Sequence, residues 1–272
     1  MTRFDRRALF ASGAAAALLA ATGMSLAATP KRGGHLRIAV PRADGLAPAA
    51  SAAVFETLTE LTPDGVLRGR LATGWHSTQN AAVWVLTLRT DASFHDGAPV
   101  RAEDVAVSLE HAPIGLPALV DIALTGPDGV RLTLADSDPH LPIRLAGSDC
   151  IICPATNQGG LIGSGLYAVR HVTAGGGLAA VRVDDHYLAE EAGWADKVDI
   201  VAMSDPGIRA EALGDGMVEA AVFPEETRLA QYSGLRRLPL SGAPELVLSD
   251  RVGCAPATAG MDSRMAERLW LE

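Results

Sequence analysis

The sequence predicts an α/β protein, on three observations. Segments alternate polar and apolar residues as strands do, His35–Val40 and Val83–Arg89 most plainly. Other segments carry apolar residues at helical spacing, such as Val105 with Leu109 and Val54 with Leu58 and Leu61. Compact turn signals separate them: Pro63-Asp64-Gly65, Asp96-Gly97 and Gly126-Pro127-Asp128-Gly129.

Residues 1–27 stand apart from the fold. Arg3, Arg6 and Arg7 form a charged head, Ala8–Ala21 is an Ala/Leu-rich apolar run, and Ser25-Leu26-Ala27 is a small-x-small cleavage site. This predicts an export signal cleaved near Ala27, with Arg6-Arg7 fitting the twin-arginine type. The apolar run is shorter than the roughly 20 residues a spanning helix needs. No Cys follows the cleavage site to take a lipid, so the expectation is a periplasmic protein.

After a basic, glycine-rich lead-in at Lys31–Gly34, His35–Val40 is the first expected strand and Pro41 ends it. Ser51–Leu61 is expected to be helical, with Ser51 able to cap it. Val83–Arg89 points Trp84, Leu86 and Leu88 to one side. Phe94–Leu109 then reads as strand exit, tight turn and helix start. Gly97 tolerates positive φ, Pro99 blocks a helix from running back, and Glu103 and Asp104 meet the positive end of the helix dipole. Leu119–Leu124 and Val130–Leu134 flank the clearest hairpin turn, and Pro139–Ala146 is expected to be a short helix. Tyr167–Val172 and Leu178–Val183 form a second hairpin around Gly175–Gly177. Val198–Met203, Ala220–Phe223, Leu235–Leu240 and Leu246–Leu248 are expected strands. Pro206–Leu213, capped by Asp205, Glu226–Tyr232 and Asp262–Leu271 are expected helices.

Composition narrows the function. The chain has 272 residues, 48% hydrophobic and 20% charged, which suits a globular protein. Formal net charge is −9, and the predicted signal carries three Arg and one Asp, so the remainder is more negative by two. Without a Lys/Arg cluster, nucleic acid is an unsuitable partner. Three cysteines, Cys150, Cys153 and Cys254, do not make a disulfide framework.

The stretch Phe94-His95-Asp96-Gly97, Pro99, Ala102-Glu103-Asp104-Val105 and Ser108-Leu109 resembles the signature of a known family: the solute-binding proteins of ABC importers, family 5, of the dipeptide-, oligopeptide- and nickel-binding type. Arg101 departs from it, standing where the family commonly has a capping Thr, and Arg cannot accept the free helix amides. Further similarities follow in order: Gly34–Val40, Phe55-Glu56-Thr57-Leu58, Leu71-Ala72 with Trp75, Gly163-Ser164-Gly165-Leu166-Tyr167 with Leu166 replacing a Pro, Asp184–Leu188, and Leu213–Glu219.

The resemblance implies a periplasmic binding protein-like fold of the class C type. Residues 31–50 and 160–250 would form a discontinuous sheet domain of the first lobe, 51–159 an inserted subdomain, and 251–272 a stub of a second lobe otherwise largely absent. It implies a protein that binds a peptide or similar small ligand and delivers it to an inner-membrane ABC permease, with no reaction, cofactor or metal. The loop Arg42–Leu46 corresponds to a ligand-touching segment of the family, which makes Arg42 and Asp44 the candidate ligand-binding residues, pairing with a ligand terminus. A second reading is a shortened interaction scaffold, or a degenerate remnant. On that reading the last helix, with Met265, Leu269 and Trp270, lacks packing partners and supports self-association.

Other chemistry is weaker. Cys150-Ile-Ile-Cys153 has redox or metal spacing, but Pro154 follows and no second ligand pair appears, so the pair reads as buried small residues. His95 reads as a turn histidine bonding backbone, not as a base. Gly163-x-Gly165 is too short for a dinucleotide fingerprint. Asp184-Asp185 and Glu225-Glu226 read as solvated surface.

Overall fold

The computed structural model describes residues 29–42, 46–111, 119–173, 177–224, 227, 229–240, 244–254 and 264–272. The first half of the chain runs β1 (His35–Val40), α1 (Leu46–Val54), β2 (Thr59–Leu61), β3 (Leu67–Gly69), β4 (Ala72–Thr78), β5 (Val83–Leu88), α2 (Ala102–Glu110), β6 (Leu119–Leu124), β7 (Gly129–Leu134) and α3 (Leu141–Arg144). The second half runs β8 (Tyr167–Val172), β9 (Leu178–Arg182), β10 (Lys197–Ala202), α4 (Pro206–Gly214), β11 (Ala220–Pro224), β12 (Arg236–Pro239), β13 (Pro244–Leu248), β14 (Val252–Cys254), α5 (Met265–Arg268) and β15 (Leu269–Leu271).

β1 is buried along most of its length because it lies in the middle of a seven-stranded sheet, order β12-β13-β11-β1-β10-β9-β8, with apolar cover on both faces. It pairs in parallel with β10 (Ile38 opposite Ile200) and with β11 (Ile38 opposite Ala220). The outer pairs of the sheet are antiparallel. On one face Leu36, Ile38, Val198 and Ile200 pack with Ala53 and Val54 of α1 and with Met265 and Leu269. On the other, Ala39, Ala221, Phe223 and Val247 pack with Ala210 and Leu213 of α4.

A second, antiparallel sheet has the order β4-β5-β7-β6. The alternation of β5 works as the sequence implies: Trp84, Leu86 and Leu88 are buried and meet Val130, Leu132 and Leu134 of β7. Val105 and Leu109 of α2 close this core together with Leu58, Leu71 and Leu141.

Three expectations are corrected. The helix predicted over Ser51–Leu61 is Leu46–Val54 instead. Val54 belongs to the first core and Leu58 to the second, so the chain must cross between them; Thr59–Leu61 then pairs with β3. The helix predicted over Asp262–Leu271 shrinks, within the described residues, to Met265–Arg268, and Leu269–Leu271 pairs antiparallel with β14. Gly253 makes that pairing possible, since a Cβ there would overlap the Trp270 indole. The apolar patch expected of these three residues is not seen: Met265, Leu269 and Trp270 are only 5%, 0% and 2% exposed. They therefore offer no face for self-association. The helix predicted over Glu226–Tyr232 falls partly outside the described residues, and Ala230–Gln231 within it form a turn. The predicted export signal, Gly175–Gly177 apart from Gly177 itself, and Asp44 also lie outside the described residues. Among the described residues, no helix is long and apolar enough to cross a membrane.

Candidate functional site

β1 sends its carboxyl end between β10 and β11, and the chain crosses from one flank to the other through α4. In open α/β sheets a crevice forms at such a reversal of strand order, outside the carboxyl ends of the strands. The exits of β1 and β10 are tied together by Met203 N–H donating to Val40 C=O at 2.9 Å. Arg42 follows as an exposed turn residue. Of the two predicted contact residues it is therefore the one the structure places at this end.

The base of α4 faces the same end. Asp205 accepts from the Gly207 and Ile208 amides at 2.6 and 3.3 Å, and so caps the helix as its sequence position implies. Arg209 was not singled out by sequence, since one Arg in a helix looks ordinary. Its side chain is enclosed, 5.5 Å from the centre of the Phe223 ring, and donates to the Met203 and Ser204 carbonyls. Burial lowers its pKa, with Asp205 opposing.

A second assembly lies where the two sheets' cores meet. In the Phe94–Leu109 stretch the turn closes through Gly97 N–H to Phe94 C=O (2.9 Å) and Ala98 N–H to the Asp96 carboxylate (3.0 Å), with Gly97 at φ 88°. His95 then binds only backbone, as expected of a turn histidine. Its Nε2 is 2.8 Å from Gly165 C=O, its Nδ1 is 3.4 Å from Gly163 N, and its own N–H donates to Gly163 C=O at 2.9 Å. The Gly163–Gly165 segment presses on the end of α1: Gly165 N–H donates to Val54 C=O, and a Cβ at either glycine would overlap that carbonyl. Two motifs far apart in sequence are thus one interlocked piece. Asp104 adds to it, accepting from Arg101 N–H and Ala155 N–H at 2.8 Å each.

Beside this lies a buried charge network that the sequence did not reveal. Arg70 lies 3.2 Å from Glu56, 3.4 Å from Glu60 and 3.1 Å from Glu267. Arg264 reaches Glu267 at 3.3 Å and Thr57 Oγ1 at 3.1 Å, and Arg268 pairs with Glu60. Tyr187 O–H donates to Glu56. Burial pushes the Glu56 carboxyl up, but Arg70, His186 and Tyr187 outweigh it and hold its pKa at about 2. The Arg70 guanidinium, though burial disfavours its charge, is held ionised by Glu267 and its neighbours. Glu56 stood inside an apolar run, Phe55-Glu56-Thr57-Leu58, and an acid in such a setting was the one available signal.

Ser164, His186 and Glu56 are neighbours, but His186 Nε2 lies 3.0 Å from the Ser164 carbonyl, not its hydroxyl, and Nδ1 accepts from Leu188 N–H at 3.0 Å. The relay of a nucleophile, a base and an orienting acid is therefore not formed. Cys150 and Cys153 are free and buried. Burial, with Asp149, pushes the Cys150 thiol up to about 11, and burial raises Cys153 as well, which suppresses the reactive thiolate. A cavity of about 360 Å³, lined in part by Gly216, Glu219, Tyr232 and Arg251, lies at the opposite, amino-terminal end of β11, away from Arg42.

Comparison with known proteins gives a consistent picture. The family described as bacterial extracellular solute-binding proteins, family 5 Middle, matches residues 66–248. No curated relative matches. Among solved structures, the binding protein AgaA of A. tumefaciens R10, in complex with agropinic acid, superposes with TM-score 0.69 at 23% identity, covering 77% of this chain and 48% of its own. NikZ from Campylobacter jejuni, in complex with Ni(L-His), gives 0.64 at 21%, covering 76% and 47%. The periplasmic binding protein DppA from Helicobacter pylori, in complex with the peptide STSA, gives 0.65 at 18%, covering 76% and 50%. The chain spans about half the length of these structures.

Proposed function

This chain belongs to the bacterial extracellular solute-binding proteins of family 5, and from that premise we propose that it captures a peptide or similar small ligand in the periplasm and delivers it to an ABC permease. The observation that carries this is the family match over residues 66–248, which takes in the four-stranded sheet, every strand of the seven-stranded sheet but β1, and the Phe94–Leu109 turn. The protein acts by binding and release, with no bond made or broken. Residues 1–27 direct export and are cleaved near Ala27.

On this reading the ligand lies outside the carboxyl ends of β1, β10 and β11. Arg42 offers a cation to a ligand carboxylate, and Asp44 an anion to an ammonium group. The ligands seen with the structural neighbours set the first screen: a tetrapeptide, a nickel–histidine complex and agropinic acid.

Titration calorimetry on the chain without residues 1–27 tests it. The expected result is saturable binding of one of the three, weakened about tenfold or more in Arg42→Ala, the loss of one charge-assisted hydrogen bond. Absence of binding to all three, with thermal unfolding unmoved by a wider panel of peptides, would instead favour a scaffold without transport function.

A further inference from the structure

We propose that His95 and His186 form an acid-sensitive clasp on the Gly163–Gly165 segment, closed while both rings are neutral and opened when they take up protons. The inference is independent of ligand identity and rests on the placement of four ring nitrogens.

Each ring is fully committed to the backbone, and in the same sense. His95 accepts at Nδ1 from Gly163 N–H and donates from Nε2 to Gly165 C=O. His186 accepts at Nδ1 from Leu188 N–H and donates from Nε2 to Ser164 C=O. Only a neutral imidazole protonated at Nε2 satisfies all four contacts. An imidazolium carries a proton on both nitrogens. At Nδ1 it would set N–H against N–H, at Gly163 for one ring and at Leu188 for the other. On protonation the segment loses the Gly163 N–H bond to His95, and His186, which holds Ser164 C=O, loses its own support at Leu188 N–H.

The charged surroundings do not cancel this. Glu56 lies 3.6 Å from His186 Nε2, and Glu56 and Asp96 both favour a proton on His95. Arg70 already engages Glu56, and Tyr187, stacked on His186, carries Arg89 over its ring. Asp91 is the remaining carboxylate that senses His186, and it is paired with Arg89. His186 also disfavours a proton on His95. For His95 burial is the largest influence, and its pKa falls below the ordinary 6.5. A group that is harder to protonate in the folded state adds stability above its unfolded pKa. That stability is lost as pH falls from 6.5 through the lowered folded value. Glu56, with a pKa of about 2, stays ionised throughout that window.

The segment bears on Val54 at the end of α1, and α1 begins directly after the loop that carries Arg42. Opening the clasp therefore frees the helix nearest the proposed ligand end.

Hydrogen exchange on the full chain, at about pH 7.5 and about pH 5 and corrected for the chemical exchange rate, tests the proposal. The amides of Gly163, Gly165 and Leu188 are expected to exchange about tenfold faster at the lower pH. Those of β5 and β10 are expected to hold. The doubly substituted His95→Gln/His186→Gln protein, whose amide side chains donate and accept without titrating, should lose the difference. Retention of the difference in that variant, or its absence in the wild type, overturns the clasp. If the variant does not fold, ring ¹⁵N shifts of the wild type decide. Nε2–H rings that titrate together with the exchange change support it; rings that titrate without any such change overturn it. His35, His76, His111, His140 and His171, exposed or half-exposed, serve as internal controls.

Discussion

Arg70 shows what one enclosed side chain can hold together. Its guanidinium has three carboxylates within 3.4 Å while only 5% of the residue is exposed. A buried ion network adds little over an apolar core of the same shape, but removing one member leaves its partners enclosed without compensation. Arg70→Met should therefore cost about 3–5 kcal/mol, read as a lower urea midpoint at constant slope. The same substitution should change the acid limb. In the wild type the Glu56 carboxyl is harder to protonate than in the unfolded chain, so its contribution is complete above about 4.5 and is lost as pH falls through about 2. Without Arg70, burial is the largest remaining influence on Glu56, and the loss of stability should begin at higher pH. An Arg70→Met protein with wild-type stability from neutral to acid pH would mean that the network is not enclosed as described.

At the scale of elements, the sequence was most legible where a single local rule decides the outcome. Alternation placed β5, the Gly-rich turn placed the β6–β7 hairpin, and Asp205 caps α4. It was least legible where the rule is met but the chain serves two cores. Val54, Leu58 and Leu61 have helical spacing, yet the helix stops at Val54 because Leu58 is needed in the other core. Arg101 is a position where the local rule fails and the element forms regardless. It precedes α2 with extended backbone, and its side chain makes no capping bond; Asp104 supplies only the return bond to Arg101 N–H. A Thr hydroxyl in that place could accept a free helix amide, so Arg101→Thr should add about 1 kcal/mol, detectable as a raised thermal midpoint. An unchanged midpoint would show that the packing of Val105 and Leu109 already fixes this helix end.

At the scale of the whole molecule, the sequence offered a candidate ligand loop through its family resemblance but no sign of the buried junction. Arg42 could be proposed because the loop after the first strand resembles a ligand-touching segment of the family. Glu56 and Tyr187 are 131 positions apart, and Arg70 and Glu267 are 197 apart, so no spacing rule brings them together. Charged residues such as Arg264 and Arg268 also read as surface until their partners are known. These long-range pairs predict how the molecule unfolds. The final segment contributes Met265 and Leu269 to the core under the seven-stranded sheet. Its Glu267 and Arg268 reach Arg70 and Glu60, beside the other core. One short piece of chain thus binds both sheets, and opening either exposes charge that the other had balanced. Calorimetry should show a single transition for the full chain, with calorimetric and van't Hoff enthalpies equal. Removal of residues 264–272 should break that coupling, giving two separated transitions and apolar dye binding before the first. Two transitions in the intact chain would place the coupling elsewhere, and one transition in the shortened chain would assign it to the His95 and Gly163–Gly165 contacts alone.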